Sequence, residues 1–170
     1  MTRYVAFLRA VNVGGTGKLP MAKLRTMCAE IGFADVQTYI ASGNVVFESG
    51  QSKSAVKAKL KKRLEEYAGK PVGITVRTAS EIRAVLNESP FPDKDPKRTV
   101  AIFLDRKLPP DAVADVQGQA DEEIVPGTRE IYVHYPSGMG RSKLKIPAAK
   151  EGTARNMNTV EKMVEMTSRA

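Results

Sequence analysis

Three glycines and a lysine follow the first apolar segment of the chain: Gly14, Gly15, Gly17 and Lys18. A phosphate-binding P-loop would need a glycine at Asn12 and a serine or threonine at Leu19. A dinucleotide fingerprint would need a glycine at Pro20. Because both motifs fail, the segment predicts only a general anion site, made of backbone N–H groups and a helix N-terminus. The alternative is a flexible connection in which glycine supplies only backbone freedom.

Catalytic and metal-binding side chains are scarce. The chain holds one cysteine, Cys28, and one histidine, His134. A metal site needs several Cys, His or carboxylate ligands together. A serine or cysteine nucleophile would need His134 as its base, and no local signature supports that arrangement. We therefore predict no metal and no cofactor. A single cysteine also excludes an internal disulfide and is typical of a cytoplasmic protein.

Positive charge is concentrated in the N-terminal half. The formal net charge is +8, and residues 1–88 hold 14 basic and 7 acidic side chains. Five basic residues lie close together in one helical pattern: Lys57, Lys59, Lys61, Lys62 and Arg63. A basic field attracts phosphate-bearing partners, whether small molecules or nucleic acids. The alternative is a solvated helix face that only favours solubility.

The elements that would position these residues follow a β-α-β-β-α-β order in the first half, which is the ferredoxin-like arrangement. The predicted strands cover 3–9, 36–41, 45–47 and 73–77, and the predicted helices begin at Pro20 and cover 53–68. Ser42, Gly43 and Asn44 form a turn signal between the second and third strands, because Gly and Asn tolerate positive φ. The helix over 53–68 is expected to bury an apolar stripe: Val56, Leu60, Leu64 and Tyr67.

A proline-rich segment, 89–97, is predicted to link the first half, 1–88, to a second half, 98–170. In the second half we predict strands over 99–104, 123–125 and 129–135, a helix over 110–117, partly helical structure over 141–149, and a last helix capped by Asn158. The order of elements resembles the first half. We therefore predict an α+β protein of two ferredoxin-like (βαββαβ-type) halves with mainly antiparallel sheets, a structural duplication.

The same topology occurs in RNA-recognition domains, which stack bases on aromatic side chains of two strands. Here Asn44, Val46 and Ser49 stand where the third strand would need aromatics. Nucleic-acid binding is therefore predicted only in a form unlike an RNA-recognition motif. The early apolar run from Tyr4 to Leu8 is too short for a membrane span, so no membrane partner is expected.

Seven stretches together resemble a bacterial family known only as domain of unknown function family 1697. They are residues 8–15 (LRAVNVGG), 20–21 (PM), 39–47 (YIASGNVVF), 90–91 (PF), 140–144 (GRSKL), 153 (T) and 155–160 (RNMNTV). They run in order along essentially the whole chain. One departure is Met157, where that family usually has tryptophan. If that ring stacks on a ligand, this protein would bind it less well, whereas in a core position methionine can fill the gap.

The resemblance implies a two-subdomain α+β fold and supplies no reaction, substrate or cofactor. It marks nine polar residues: Arg9, Asn12, Ser42, Asn44, Arg141, Ser142, Lys143, Arg155 and Asn156. Asn12, Ser42 and Asn44 have alternative roles in turns or caps. The four cationic residues have no such local role, which points to an anionic ligand.

These residues together predict a site for a phosphorylated or otherwise anionic small molecule. It would combine the nine residues with Gly14, Gly15 and Lys18, if the C-terminal segments fold back onto the Gly-rich loop. Arginines that brace the contact between the halves are the structural alternative. The functional alternative is a non-catalytic module that binds nucleic acid or protein through the basic N-terminal half. No general base is identifiable, so no reaction is predicted. The oligomeric state is not predicted either.

Overall fold

The computed structural model describes residues 1–12 and 18–168. The chain divides into two compact units, Met1–Arg83 with Met163–Ala170, and Ala84–Lys162. The N-terminal elements are β1 (Thr2–Leu8), α1 (Met21–Glu30), β2 (Ala34–Tyr39), β3 (Asn44–Ser49), α2 (Lys53–Ala68), β4 (Ile74–Thr78) and α3 (Ala79–Asn87). The later elements are β5 (Thr99–Phe103), β6 (Glu123–Pro126), β7 (Glu130–His134), β8 (Thr153–Asn156) and α4 (Met157–Ser168), with 3₁₀ turns at Pro96–Arg98 and Pro147–Ala149.

The first unit is built on a four-stranded antiparallel sheet of order β2-β3-β1-β4. Apolar stripes of α1 and α2 form a core with the sheet, in which Leu24, Leu60 and Phe47 are fully buried. Gly69 ends α2 in the left-handed conformation with φ of 72°, as expected for a residue without a Cβ atom. The β-α-β-β-α-β order predicted for this half is confirmed.

One residue of the predicted α2 stripe is not buried. Tyr67 keeps 41% of its surface exposed, whereas Val56, Leu60 and Leu64 are buried. Tyr67 lies in the last turn of α2, two residues before Gly69. A cavity described below lies beside this turn, so the prediction that Tyr67 belongs to the closed core is wrong.

The second sheet is also antiparallel, with the order β6-β7-β5-β8. Its four strands, taken in chain order, occupy the same relative places as those of the first sheet. Val100, Ile131 and Val133 belong to its buried core cluster. The prediction of two α+β, ferredoxin-like halves with antiparallel sheets is therefore confirmed.

Three details of the second half differ from the prediction. Residues 110–115 form turns instead of the helix predicted over 110–117. In a helix the Gln117 N–H would donate to the carbonyl four residues earlier, but it donates to Lys145 O at 2.9 Å. The expected partial helix over 141–149 is only the 3₁₀ turn at Pro147–Ala149. Strand β8 was not predicted.

The start of α4 also differs from the prediction. The Thr159 N–H donates to Asn156 Oδ1 at 2.9 Å, so Asn156 caps the helix and Asn158 lies inside its first turn. A capping box not predicted from the sequence opens α3, where Thr78 N–H donates to Glu81 Oε1 at 2.9 Å and Glu81 N–H donates to Thr78 Oγ1 at 3.2 Å. Both helix starts are fixed by side chains next to a strand end.

The predicted linker, 89–97, consists of bends and turns that lead into the 3₁₀ turn at Pro96–Arg98. The boundary between the two compact units falls earlier, after Arg83, and the last residues of α4 group with the first unit. Within the described part of the chain, no helix is long and apolar enough to cross a membrane.

Candidate functional site

A cavity of about 550 Å³ lies in the first unit, where β1 ends, β4 begins and α2 ends. We call it the Arg9 cavity. Three cationic residues line it: Arg9, Lys18 and Lys70. Its larger apolar side chains are Val11, Leu19, Leu64, Tyr67 and Val72. A few charged groups beside mostly apolar surface are the usual composition of a small-molecule site.

The pairing of β1 with β4 places Arg9 at this cavity. Leu8 lies opposite Ile74 in the antiparallel register, and the Arg9 N–H donates to Gly73 O at 2.8 Å. A Cβ atom on Gly73 would lie 3.1 Å from Arg9 Cβ and 3.3 Å from Arg9 Cδ. Gly73 therefore leaves room for the aliphatic part of the Arg9 side chain along the start of β4.

Asn12 holds the two ends of the loop after β1 together. Its Nδ2 donates to Leu19 O at 2.7 Å and to Ala41 O at 2.8 Å, and its Oδ1 accepts from Leu19 N at 2.6 Å. The residue adopts φ of 56°, a conformation that asparagine tolerates better than most residues. Both N–H groups of the amide donate and its oxygen accepts one hydrogen bond, so Asn12 positions Lys18 and Leu19 at the cavity. Gly14 and Gly15 lie outside the described residues.

Ser42, Gly43 and Asn44 hold the β2–β3 turn against the end of β1. The fully buried Asn44 amide donates to Tyr39 O and to Ser42 Oγ, both at 2.9 Å. The Leu8 N–H donates to Gly43 O at 2.8 Å. These contacts give Ser42 and Asn44 the turn role that was one of their two predicted interpretations.

Ala10 lies in the left-handed region with φ of 58° and lines the Arg9 cavity. This conformation costs a residue with a Cβ atom on the order of 1 kcal/mol or more. Backbone strain of this kind is concentrated at binding and catalytic sites. Ala10 lies between Arg9 and Val11, two residues after the end of β1. Its left-handed conformation turns the chain away from the direction of the strand.

In the second unit, Arg141, Ser142 and Lys143 line a cavity of about 600 Å³, together with Asp121 and Glu122. Here the two cations are accompanied by two carboxylates. Such a mixed lining compensates its own charge and attracts an anion less strongly than a purely cationic one.

The segment that carries Arg141 and Lys143 is held by its backbone. Gln117 and Lys145 form an isolated antiparallel bridge. Gly118, with φ of 70°, approaches so closely that a Cβ atom there would lie 2.2 Å from Lys143 O. The segment is therefore locally fixed although it contains no helix or strand.

Ser142 donates a short hydrogen bond to Glu122 Oε2, and the Ala120 N–H donates to Glu122 Oε1 at 2.7 Å. The Ser142 hydrogen bond, followed by that of Ala120, holds the pKa of Glu122 below its usual range. Ser142 therefore stabilises the ionised carboxylate of a neighbouring loop.

Replacing Ser142 with alanine is expected to destabilise the protein in a pH-dependent way. Because the pKa of Glu122 is lowered on folding, its ionisation contributes stability above the ordinary glutamate pKa, and this contribution is lost as pH falls through the folded-state pKa. The stability difference between wild type and Ser142→Ala should be present at pH 7 and shrink toward pH 3 in urea denaturation. In a Glu122→Gln background the difference should not vary with pH. A gap that widens toward low pH would contradict this assignment.

Arg155 and Asn156 lie at the end of β8. Asn156 uses its side-chain oxygen to cap α4. Arg155 is half-buried, and its Nη1 donates to Ala154 O at 2.9 Å. Burial lowers the pKa of Arg155 to about 10, so it stays protonated at neutral pH. The neighbouring Met157 is buried, which fits a core position. The predicted meeting of these residues with the Gly-rich loop stays a prediction.

The basic run on α2 is partly neutralised. Lys59, Lys61 and Lys62 are exposed, but the Arg63 guanidinium pairs with Glu30 Oε2 at 3.2 Å. This charge distribution is typical of a solvated helix face. Nucleic-acid or protein binding through this surface stays a prediction.

Cys28 is fully buried in the first core, and burial raises the pKa of its thiol to about 12. The thiol is therefore protonated at neutral pH and a poor nucleophile. His134 is buried beside Thr99, with 3.0 Å between His134 Nδ1 and Thr99 Oγ1. Among residues 1–12 and 18–168, no group of three Cys, His or carboxylate side chains is placed to hold a metal ion.

Lys70 and Tyr67 were not among the predicted site residues. The signal that would have found them is topological. In a β-α-β-β-α-β unit the first and last strands are neighbours, so the residues before β4 lie beside the end of β1. Lys70 directly follows Gly69, which ends α2, so this order of elements brings it to the same edge as Arg9.

The chain is similar to a solved structure of a conserved bacterial protein from Streptococcus pneumoniae. The two share 28% sequence identity and superpose with a TM-score of 0.82, and the match covers 98% of this chain and 99% of the other. No curated protein matches the chain significantly.

The family that the sequence motifs suggested is also found by direct comparison. A family model described as "Protein of unknown function (DUF1697)" matches residues 1–132. That span contains the whole first unit up to Arg83, including every described residue of the Arg9 cavity. The chain therefore belongs to the DUF1697 family of proteins of unknown function.

Proposed function

We propose that the protein binds a phosphorylated or otherwise anionic small molecule in the Arg9 cavity. The observation that supports the proposal is the lining, which includes three cationic residues, Arg9, Lys18 and Lys70. No carboxylate is among the described residues that line it. Several positive charges around one cavity raise the local concentration of anions and favour their binding.

The three cations suit the geometry of an oxyanion. Arginine can hold a phosphate or carboxylate through two parallel hydrogen bonds, and lysine adds a mobile point charge. The volume of about 550 Å³ lies within the range of roughly 300–1,000 Å³ that small-molecule sites occupy. Lys18 and Lys70 come from different loops, so they can approach an anion held by Arg9 from two directions.

The proposal rests on the first unit alone. The C-terminal cations Arg141 and Lys143 share their own cavity with Asp121 and Glu122. Ser142 and Asn156 use their side chains for Glu122 and for the cap of α4. The proposed function therefore does not require these C-terminal residues.

The proposal is for binding and not for a reaction. The described lining of the Arg9 cavity contains neither a histidine nor a carboxylate, which are the most frequent general bases. If the bound molecule reacts, the cations would act by stabilising negative charge as it develops.

The proposal predicts a charge-specific loss of affinity. Arg9→Met and Lys70→Met should each weaken binding of a phosphate-bearing ligand by about tenfold or more, since a hydrogen bond to a charged group contributes roughly 1.5–3 kcal/mol. Isothermal titration calorimetry with a panel of nucleotides and sugar phosphates would identify a ligand and measure the loss.

Lys61→Met is the matched control. It removes one positive charge from an exposed position of the first unit that does not line the cavity. Affinity should remain within about twofold of wild type, the scatter expected for a distant exposed charge. If Lys61→Met weakens binding as much as Arg9→Met, the effect is one of net charge and the proposal fails. It also fails if no member of the panel binds wild type.

A further inference from the structure

We infer that the ligand of the Arg9 cavity is an amphipathic anion, whose charged group is attached to an apolar aryl or alkyl body and not to a polyhydroxylated one. This inference rests on the proposed function and names its ligand class. It follows from what surrounds the three cations. The larger neutral side chains of the lining are Val11, Leu19, Leu64, Tyr67 and Val72.

Neutral hydrogen-bonding groups are scarce in this lining. Among the described lining residues, the Tyr67 hydroxyl is the only neutral polar group on a side chain. A sugar has several hydroxyl groups, and each one buried without a partner costs about tenfold in affinity. The described side chains therefore offer few partners to a ligand that carries many hydroxyl groups.

Part of the backbone at this cavity is already engaged. The N–H and C=O of Leu19 are both taken by the Asn12 amide. The Arg9 N–H and Gly73 C=O are paired with each other. These four groups, which lie at the lining residues, are engaged before a ligand arrives.

Tyr67 offers apolar surface that the fold leaves uncovered. It keeps 41% of its surface exposed although the three other residues of its helical stripe are buried. The Lys23 ammonium lies 5.9 Å from the centre of the Tyr67 ring. An apolar body that covers this ring would remove its surface from water, while the cations neutralise the charged group.

The test compares four ligands that share one charged group. Inorganic phosphate, glucose 6-phosphate, phenyl phosphate and hexyl phosphate are titrated into the full chain by isothermal titration calorimetry at one salt concentration. Phenyl and hexyl phosphate are expected to bind at least tenfold more tightly than glucose 6-phosphate. Tyr67→Ala should reduce this advantage, measured as the ratio of the dissociation constants of glucose 6-phosphate and phenyl phosphate.

The outcomes distinguish a failure of this inference alone from a failure of the proposed function. If glucose 6-phosphate binds as tightly as phenyl phosphate, and Arg9→Met still weakens both, the cavity binds anions and the inference about the ligand body is overturned. If hexyl phosphate binds equally well to wild type and to Arg9→Met, its binding is non-specific and the inference also fails. If none of the four binds wild type, both proposals fail.

Discussion

Gly43→Ala is expected to destabilise the protein by about 2–5 kcal/mol. Gly43 has φ of 90°, and an added Cβ atom would lie 2.8 Å from both Leu8 Cβ and Val11 Cγ2. Leu8 is fully buried in the central strand β1, so it cannot move aside without disturbing the sheet. The variant should also displace Val11, which lines the Arg9 cavity.

Gly32→Ala is the matched control for this prediction. Gly32 has nearly the same conformation, with φ of 94°, but nothing lies within 4 Å of its added Cβ atom. It should cost about 1 kcal/mol, from backbone strain alone. Urea denaturation of both variants measures the difference. Equal losses would show that the close approach of the β2–β3 turn to β1 does not contribute.

Asn12→Ala is expected to destabilise the protein by about 2–4 kcal/mol. The change removes three hydrogen bonds to the backbone of Leu19 and Ala41. Leu19 is buried, so its N–H and C=O groups lose partners that water does not easily replace. Binding of an anion at the Arg9 cavity should weaken as well, because Lys18 and Leu19 lose their fixed position.

Asn12→Gly separates hydrogen bonding from backbone strain. Glycine adopts the observed φ of 56° without cost from a Cβ atom, so it should be more stable than Asn12→Ala by about 1 kcal/mol. Both variants should remain clearly below wild type in thermal or urea denaturation. A wild-type-like Asn12→Gly would mean that the three hydrogen bonds contribute little and that Asn12 is available for another role.

The first half could be predicted from the sequence because local signals agree there with the tertiary structure. The apolar stripe of α2 begins after Ser52, whose side chain accepts from Ala55 N at 3.2 Å, and the helix ends at Gly69. In the second half, Pro110 and the residues after it have the composition of a helix, but Gln117 pairs with Lys145 instead. That long-range pairing leaves no local pattern in the sequence.

The candidate site could be predicted only in part, for a related reason. Motif residues such as Asn12 and Asn44 stand out by type, but sequence alone does not show whether an amide meets a ligand or its own backbone. Here both amides contact backbone carbonyls. Tyr67 was placed in the core by its helical spacing, which does not show where the sheet beneath the helix ends. The cavity arises from tertiary packing that brings β1, β4 and α2 together.

The most direct test of the central claim is to map anion binding on the protein. The experiment is a titration of ¹⁵N-labelled protein with phenyl phosphate, followed by backbone amide chemical shifts. If the anion binds in the Arg9 cavity, the chemical shifts of Arg9, Lys18, Lys70 and Gly73 should change and reach saturation. These changes should be absent in Arg9→Met. Shifts confined to the exposed lysines of α2 or to residues 141–143, or no saturable shifts at all, would contradict the assignment of the anion site to this cavity.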